Sequence, residues 1–504
     1  MVHPCGSGAF GYFESTADVS DLTKAAFLQT PGEKTPIFIR FSTVTLGREF
    51  PDEARNPRGF AIKFYTGEGN YDIVGLVSHV QPFSSDFSVT NDLQNFPVFF
   101  CRDPIQGPDV IRSQSRNPRN FLLDYDATFD LLGCTPEGNH AGLMFFSDHG
   151  TPDGWVNEHG YGCHTFKWVN KEGKFVYIKY HFLAKHGQKQ LTQPEAIRIS
   201  GENPDYSKQQ LWEGIENGQE FEWEAHVQIM QPEDADPEKL GFDPFDVTKV
   251  WPRGQFPMQK FGRLVLNKNP ENYHRDVEQA AFSPGSMVPG IEDSPDPLLQ
   301  FRMFFYRDAQ YHRIGVNLHQ IPVNCPFAAQ SFSSINFDGA MRVDANHAGN
   351  KQYTPNSFAG PAPTNKFRPD VAETPYKVSD NVVSRKSHYY HEGKLSEYDQ
   401  PRELYQRVMT EPQRQNLHAN TAKMLSHVNF PIIQKRYLAQ IYNIAPAYAR
   451  GVYDLTKFKH DKFDFAEVEE TAKEAPTLTK VPKFRPGQGE RLVGFAPEKP
   501  FYQY

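Results

Sequence analysis

The sequence predicts an α+β fold: an eight-stranded antiparallel β-barrel with helical inserts, then an extended wrapping segment and a C-terminal helical domain. Three observations carry this reading. Residues from about 35 to 270 alternate short aromatic and β-branched runs with Gly, Pro, Asn and Asp. Residues 271–395 are rich in Pro, Asn and Gly, as in SPGSMVPGIEDSPDP. From Tyr398 onward apolar residues recur at helical spacing.

Eight runs read as strands: TPIFIRFSTV (35–44), GFAIKFYT (59–66), FPVFFCRD (96–103), GLMFFSDH (142–149), HTFKWVN (164–170), KFVYIKYHFL (174–183), EWEAHVQIM (222–230) and FGRLVLNK (261–268). Eight such runs suit a closed barrel, which leaves no sheet edge unpaired. The barrel domain is placed at 1–270, with an insertion at 76–95 and helical inserts around Pro194 to Ile197 and Tyr206 to Ile215. Segment 271–395 has the length and composition of a functional loop or one packed across a partner subunit, and it contains one helix, FRMFFYRDAQYHR. In the helical domain, 396–460, Thr410 precedes Glu411 and Pro412 as an N-cap. Leu417, Thr421, Met424, Leu425 and Val428 then follow helix spacing, as do Ile433, Tyr437 and Ile441, and Tyr448, Val452 and Leu455. The charged remainder, 461–504, reads as a tail.

Of the 504 residues 38% are hydrophobic and 14% aromatic, with 41 Phe and 23 Tyr, so planar side chains are available both for a core and for walling a flat ligand. A net charge of -8 argues against a nucleic-acid backbone as partner, and no apolar run approaches the roughly 18 residues of a membrane span. Five cysteines without CxxC spacing argue against a disulfide framework and a zinc site, and point to a reducing compartment. No signal peptide is recognisable and the final Tyr502, Gln503 and Tyr504 are not an SKL-type address, so the expectation is an intracellular protein of peroxisome or cytoplasm.

Chemistry concentrates at Arg302 and Tyr306. A phenol ionises near pH ~10 and ligates metal at neutral pH only where a cation supports the phenolate. Residues four apart share a helix face, so the Arg302 guanidinium can meet the Tyr306 oxygen. Tyrosine ligation of haem iron is the choice made where peroxide is destroyed. Breaking a peroxide O–O bond also needs a base that moves a proton between the two oxygens, a task suited to histidine. His3, in MVHPCGSGAFGYFE, stands ahead of what reads as a Gly-rich turn.

The runs HPCGSGAFGYFE, RFSTV (40–44), NPRGFAIKFYT (56–66), FPVFFCRDP (96–104), GYGCHTFKWVN (160–170), SPDPLLQFRMFFY (294–306) and HQIPVNCP (319–326) together resemble the monofunctional haem catalases, in order and over nearly the whole chain. The resemblance implies the haem catalase fold, haem b as cofactor, hydrogen peroxide as substrate and dioxygen and water as products. It implies His3 as the distal acid/base, Ser42 as the hydroxyl orienting it, Asn95 as the distal amide, and Val44 and Phe99 as apolar walls. Tyr306 becomes the iron ligand and Arg302 its partner, with His164 and Asp296 extending the network and Arg40 and Arg313 holding the propionates. A homotetramer is implied as well. The helical end stops without the flavodoxin-like domain of large-subunit catalases, which fits the small-subunit, fungal-like class.

Departures from the family pattern set further expectations. Met1 lies two residues before His3, so the N-terminal arm that threads between subunits and carries a propionate arginine is read as missing, which weakens the tetramer expectation. Val77 to Gln94 are 18 extra residues, read either as a retained intron of 54 bases or as a genuine loop. Gln94 and Asn95 compete for the amide role, and Asn95 survives either reading. Gly107 replaces a Phe that stacks by the haem. His140 and Trp251 match parts of the family's NADPH site, but His149 and Leu183 replace its basic residues, which argues against NADPH binding. Beside the catalase reading stand a catalase-like haem peroxidase or hydroperoxide isomerase, and an inactive truncated product.

Overall fold

A computed structural model describes residues 3–77, 96–325, 338–340, 342, 346, 351, 357, 396–456 and 462–477. Asn95 and most of the Val77 to Gln94 insertion lie outside the described residues, as does most of 326–395. The chain divides into two compact units, one of residues 1–107 and 144–395, the other of 108–143 and 396–504. The sequence-based division had left 108–143 inside the barrel domain.

The first unit is built on one curled antiparallel sheet. Its strands are β1 (Gly6–Ser15), β2 (Lys34–Thr43), β3 (Arg58–Thr66), β4 (Gly69–Val77), β5 (Gly160–Tyr161), β6 (Phe166–Val169), β7 (Phe175–Ala184), β8 (Phe221–Met230), β9 (Gln259–Lys268) and β10 (Ile291–Asp293). They run in the order β10-β6-β7-β8-β9-β1-β2-β3-β4, with the short β5 paired to β7. Without the two short strands β5 and β10 the path has the expected eight, but not the eight that were read. FPVFFCRD forms no strand, and GLMFFSDH falls across the helix Asn139–Phe146 and the turn after it. A short apolar run has no periodicity to separate helix from buried strand.

The two strands missed were β1 and β4. In β1 the glycines read as a turn are in fact places where strands come too close for a side chain. A Cβ at Gly6 would sit 2.0 Å from Phe41 O, and one at Gly11 1.8 Å from Val265 O. Alternate residues face the core, as in β8, where Phe221, Trp223, Ala225 and Val227 are buried. Phe13 centres the sheet interior, with rings of Phe27, Phe64 and Phe261 at 5.9, 5.5 and 5.7 Å. The buried pair Lys63–Asp72 joins β3 to β4 at 2.7 Å, and the second Asp72 oxygen accepts from Ser283 N–H, tying the sheet to the segment that leads to the helix Pro297–Arg313.

In the second unit, the helix Pro431–Ile444 buries Ile433, Tyr437, Leu438, Ile441 and Ile444. Phe129, on the helix Tyr125–Cys134, meets Tyr437 edge-on at 4.8 Å. Thr410 caps Glu411–Leu425 in a capping box with Gln413. Residues 462–477, read as the start of a tail, instead carry a helix, Phe465–Glu474, whose Ala472 packs with Ala439. Its own capping box, Asp464 with Glu467, explains its start.

Candidate active site

Strand register assembles one side of the site. Gly6 pairs with Ser42 and Ser42 with Gly59, so the three lie in one row across β1, β2 and β3. Arg40 and Ser42, two apart on β2, share a face. His3, at φ 55°, turns in ahead of β1; its N–H donates to Val44 O at 2.8 Å and its Nδ1 lies 2.8 Å from Ser42 Oγ. The absence of a Cβ at Gly59 leaves room for this pair, because a methyl there would lie 2.7 Å from His3 Nδ1. Gly59 is the site residue that the motif reading passed over; its signal was its place in NPRGF. Val44 is buried, and its N–H is held by Asn56 Oδ1 at 2.7 Å. Burial, then the Arg40 and Arg302 cations, hold the His3 imidazole down at about 3, so it is neutral at physiological pH.

The other side grows from the helix Pro297–Arg313. Asp296 is its N-cap: Oδ1 accepts from the N–H groups of Leu298 and Leu299. Its Oδ2 lies 2.6 Å from His164 Nδ1, and His164 Nε2 lies 2.5 Å from Arg302 Nη1. Arg302 Nη2 donates to Tyr306 Oη at 2.8 Å, one turn along the helix. Because Nε2 faces a guanidinium that can only donate, the proton sits on Nδ1 and His164 is neutral; burial lowers its pKa although Asp296 opposes this. The meeting of His164 with Asp296 is set by sheet pairing, Phe166 of β6 opposite Asp293 of β10. Asp296, His164 and Arg302 are all buried.

Arg40 and Arg313 converge on one stretch of chain. Arg40 donates to Val277 O and His3 O, and Arg313 to Glu278 O and Ala280 O at 2.6 and 2.7 Å. Burial, then repulsion from Arg40, lower Arg313 to about 10. The Glu278 carboxylate acts on both, and two guanidiniums converging on one stretch suit an anionic ligand edge. Phe99 is half-buried, with the Arg302 guanidinium 5.9 Å from its ring centre. Among the described residues a Cβ at Gly107 would meet only Phe301 Cε1, at 4.0 Å.

A phenol supported by a buried guanidinium, with a neutral imidazole within the field of that same guanidinium, offers an oxygen ligand and a proton acceptor in one site. Residues 1–360 match the family model described as Catalase, and 391–456 the one described as Catalase-related immune-responsive. The chain belongs to the catalase family. It is 43% identical to a catalase of Methanosarcina barkeri over 94% of this chain and 86% of that relative. It is 42% identical to the peroxisomal catalase of Pichia angusta over 84% of this chain and 80% of that one. A crystal structure of a fungal catalase superposes with TM-score 0.77 at 37% identity, covering 91% of this chain and 88% of that one. Among the described residues no helix is long and apolar enough to cross a membrane.

Proposed function

We propose that this chain is a catalase that dismutates hydrogen peroxide to water and dioxygen with haem b held by Tyr306. The observation that carries this is the line Asp296–His164–Arg302–Tyr306, an unbroken set of hydrogen bonds ending on one phenol oxygen. The donor set fits haem: a phenolate oxygen for iron, and Arg40 and Arg313 for the propionates. Bound there, haem would supply an iron that exchanges electron pairs with peroxide.

The chain's own residues move and place the protons. We assign Nδ1 as the donor to Ser42 Oγ, which leaves Nε2 of His3 as the basic nitrogen. It takes a proton from one peroxide oxygen and returns it to the other, so that water leaves. With the second peroxide it relays the protons that accompany release of dioxygen. Val44 and Phe99 are assigned as apolar walls, and Asn95 as the amide that orients the peroxide. Arg302, fixed by His164, keeps a positive charge beside the phenol oxygen throughout.

The relatives favour hydrogen peroxide over the hydroperoxide peroxidase or isomerase reading. We further infer a homotetramer, supported by apolar surface at Ile105, Phe304 and Phe305, which are 69, 77 and 44% exposed. Binding of NADPH is inferred to be absent, because burial holds His149 at about 3 and so neutral where a phosphate would need a cation. A peroxisomal or cytoplasmic location is inferred from the Pichia angusta relative. The deciding experiment is oxygen evolution from hydrogen peroxide by the purified, haem-loaded chain. Rapid release is expected, and a bound-haem spectrum without release would overturn the reading.

A further inference from the structure

We propose that Lys179 is a positioning residue for the Tyr306 line, pinning the turn that presents His164 and supplying the second buried cation of that network. The inference rests on the reading of Tyr306 as the haem ligand.

Lys179 lies in β7, is buried, and donates from Nζ to Cys163 O at 2.8 Å. Cys163 has φ 49°, and His164 N–H donates to Gly162 O at 2.5 Å, so residues 162–164 form a γ-turn of the rare φ-positive hand. A residue with a Cβ keeps that conformation only where its surroundings impose it. Here one strand imposes it twice. Gly162 N–H donates to Tyr180 O at 3.0 Å, holding the start of the turn, and Lys179, the preceding residue of β7, holds its middle carbonyl. His164 leaves this turn directly onto Asp296 and Arg302. Rotation of the peptide after Cys163 would swing the imidazole off both.

Charge gives the second half of the argument. Both Asp296 oxygens are engaged, one by His164 and one by the helix N–H groups. Arg302 is shared between His164 and the half-buried Tyr306, and the neutral His164 adds no cation beside the buried Asp296. Lys179 supplies that cation: burial lowers its pKa, and among the carboxylates that oppose this Asp296 comes ahead of Asp246 and Asp243. Asp246 is already satisfied by Arg102 at 2.7 Å and Lys249 at 3.4 Å. The Trp251 ring, 5.6 Å from the ammonium, covers it with an aromatic face.

The test compares Lys179→Met, Lys179→Gln and Lys179→Arg in the haem-loaded full chain, reading the tyrosinate–iron signature by resonance Raman, kcat and KM separately, and amide exchange of 160–166 in the haem-free chain. Lys179→Met is expected to lower kcat about tenfold at unchanged KM, to weaken the tyrosinate signature, and to raise exchange across 160–166 about tenfold. Lys179→Gln keeps a donor for Cys163 O but no charge, so it should lower kcat and the signature while exchange stays near the wild-type rate. Lys179→Arg should restore kcat to within about twofold. Wild-type signature and kcat in both uncharged variants would overturn the proposal, even with lowered thermal stability. If Lys179→Met does not fold, Lys179→Gln decides. A wild-type chain lacking the tyrosinate signature would instead fail the ligand reading, and the exchange measurement then decides the pinning on its own.

Discussion

A methyl group at position 59 would lie 2.5 Å from Ser42 Oγ and 2.7 Å from His3 Nδ1, so Gly59 is the floor on which that imidazole and hydroxyl meet. Gly59→Ala must push one of them aside. A displacement of under 1 Å is enough to lower kcat by roughly 10- to 100-fold. Ser42→Ala, which loses the hydrogen bond but not the room, should cost less. Oxygen evolution beside thermal melts checks this, and equal activities for the two variants would contradict it.

His3 should be indispensable to turnover. His3→Ala is expected to lower kcat by about 10²- to 10⁴-fold, the range for a lost proton shuttle, while the haem spectrum persists. Because His3 is held at about 3, the wild-type rate should be flat from about pH 5 upward. A rate that halves near pH ~6.5 would mean an ordinary histidine at this position.

Arg302→Met removes the donor to Tyr306 and strands His164 Nε2 in the core. Loss of a buried charged partner costs about 3–5 kcal/mol in comparable sites, so the melting temperature should fall together with the tyrosinate signature. Arg302→Lys should not rescue it, since one ammonium lacks the fork that reaches both His164 and Tyr306. Calorimetry and absorbance spectra on the two variants test this.

Much of this site was legible because its members come in dense local motifs. Arg302 and Tyr306 are one helical turn apart, and His3 stands in a recognisable run. What was not legible depends on residues far apart in sequence. The need for glycine at 6, 11 and 59 arises from atoms of Phe41, Val265, Ser42 and His3, so β1 read as a turn. The run 142–149 failed for a different reason: its first five residues are all apolar, and period cannot separate helix from strand there. The helix Phe465–Glu474 did carry a local signal, Asp464 three residues before Glu467, which the high charge of the segment obscured.

Away from the site, Glu53 offers a test of linkage. Burial, opposed by Arg58 and Ser207, raises its carboxyl to about 7 from 4.5. The folded state therefore holds this proton more tightly than the unfolded chain. The resulting stability is fully present below pH ~4.5 and is lost as pH rises to ~7, by about 3 kcal/mol at most. Glu53→Gln should flatten that loss. Urea midpoints at pH 5 and pH 8 for both proteins measure it, and parallel losses would refute it.

Asp296 starts a helix with one oxygen and supports an imidazole with the other. Local order and chemical readiness therefore rest on the same atom group and cannot be traded against each other. A chain whose helix has frayed at its first turn is also one whose His164 has lost its orienting partner. Partial damage of that kind gives no half-tuned protein: it yields a visibly loosened one, open to proteolysis at the same place where its chemistry has failed.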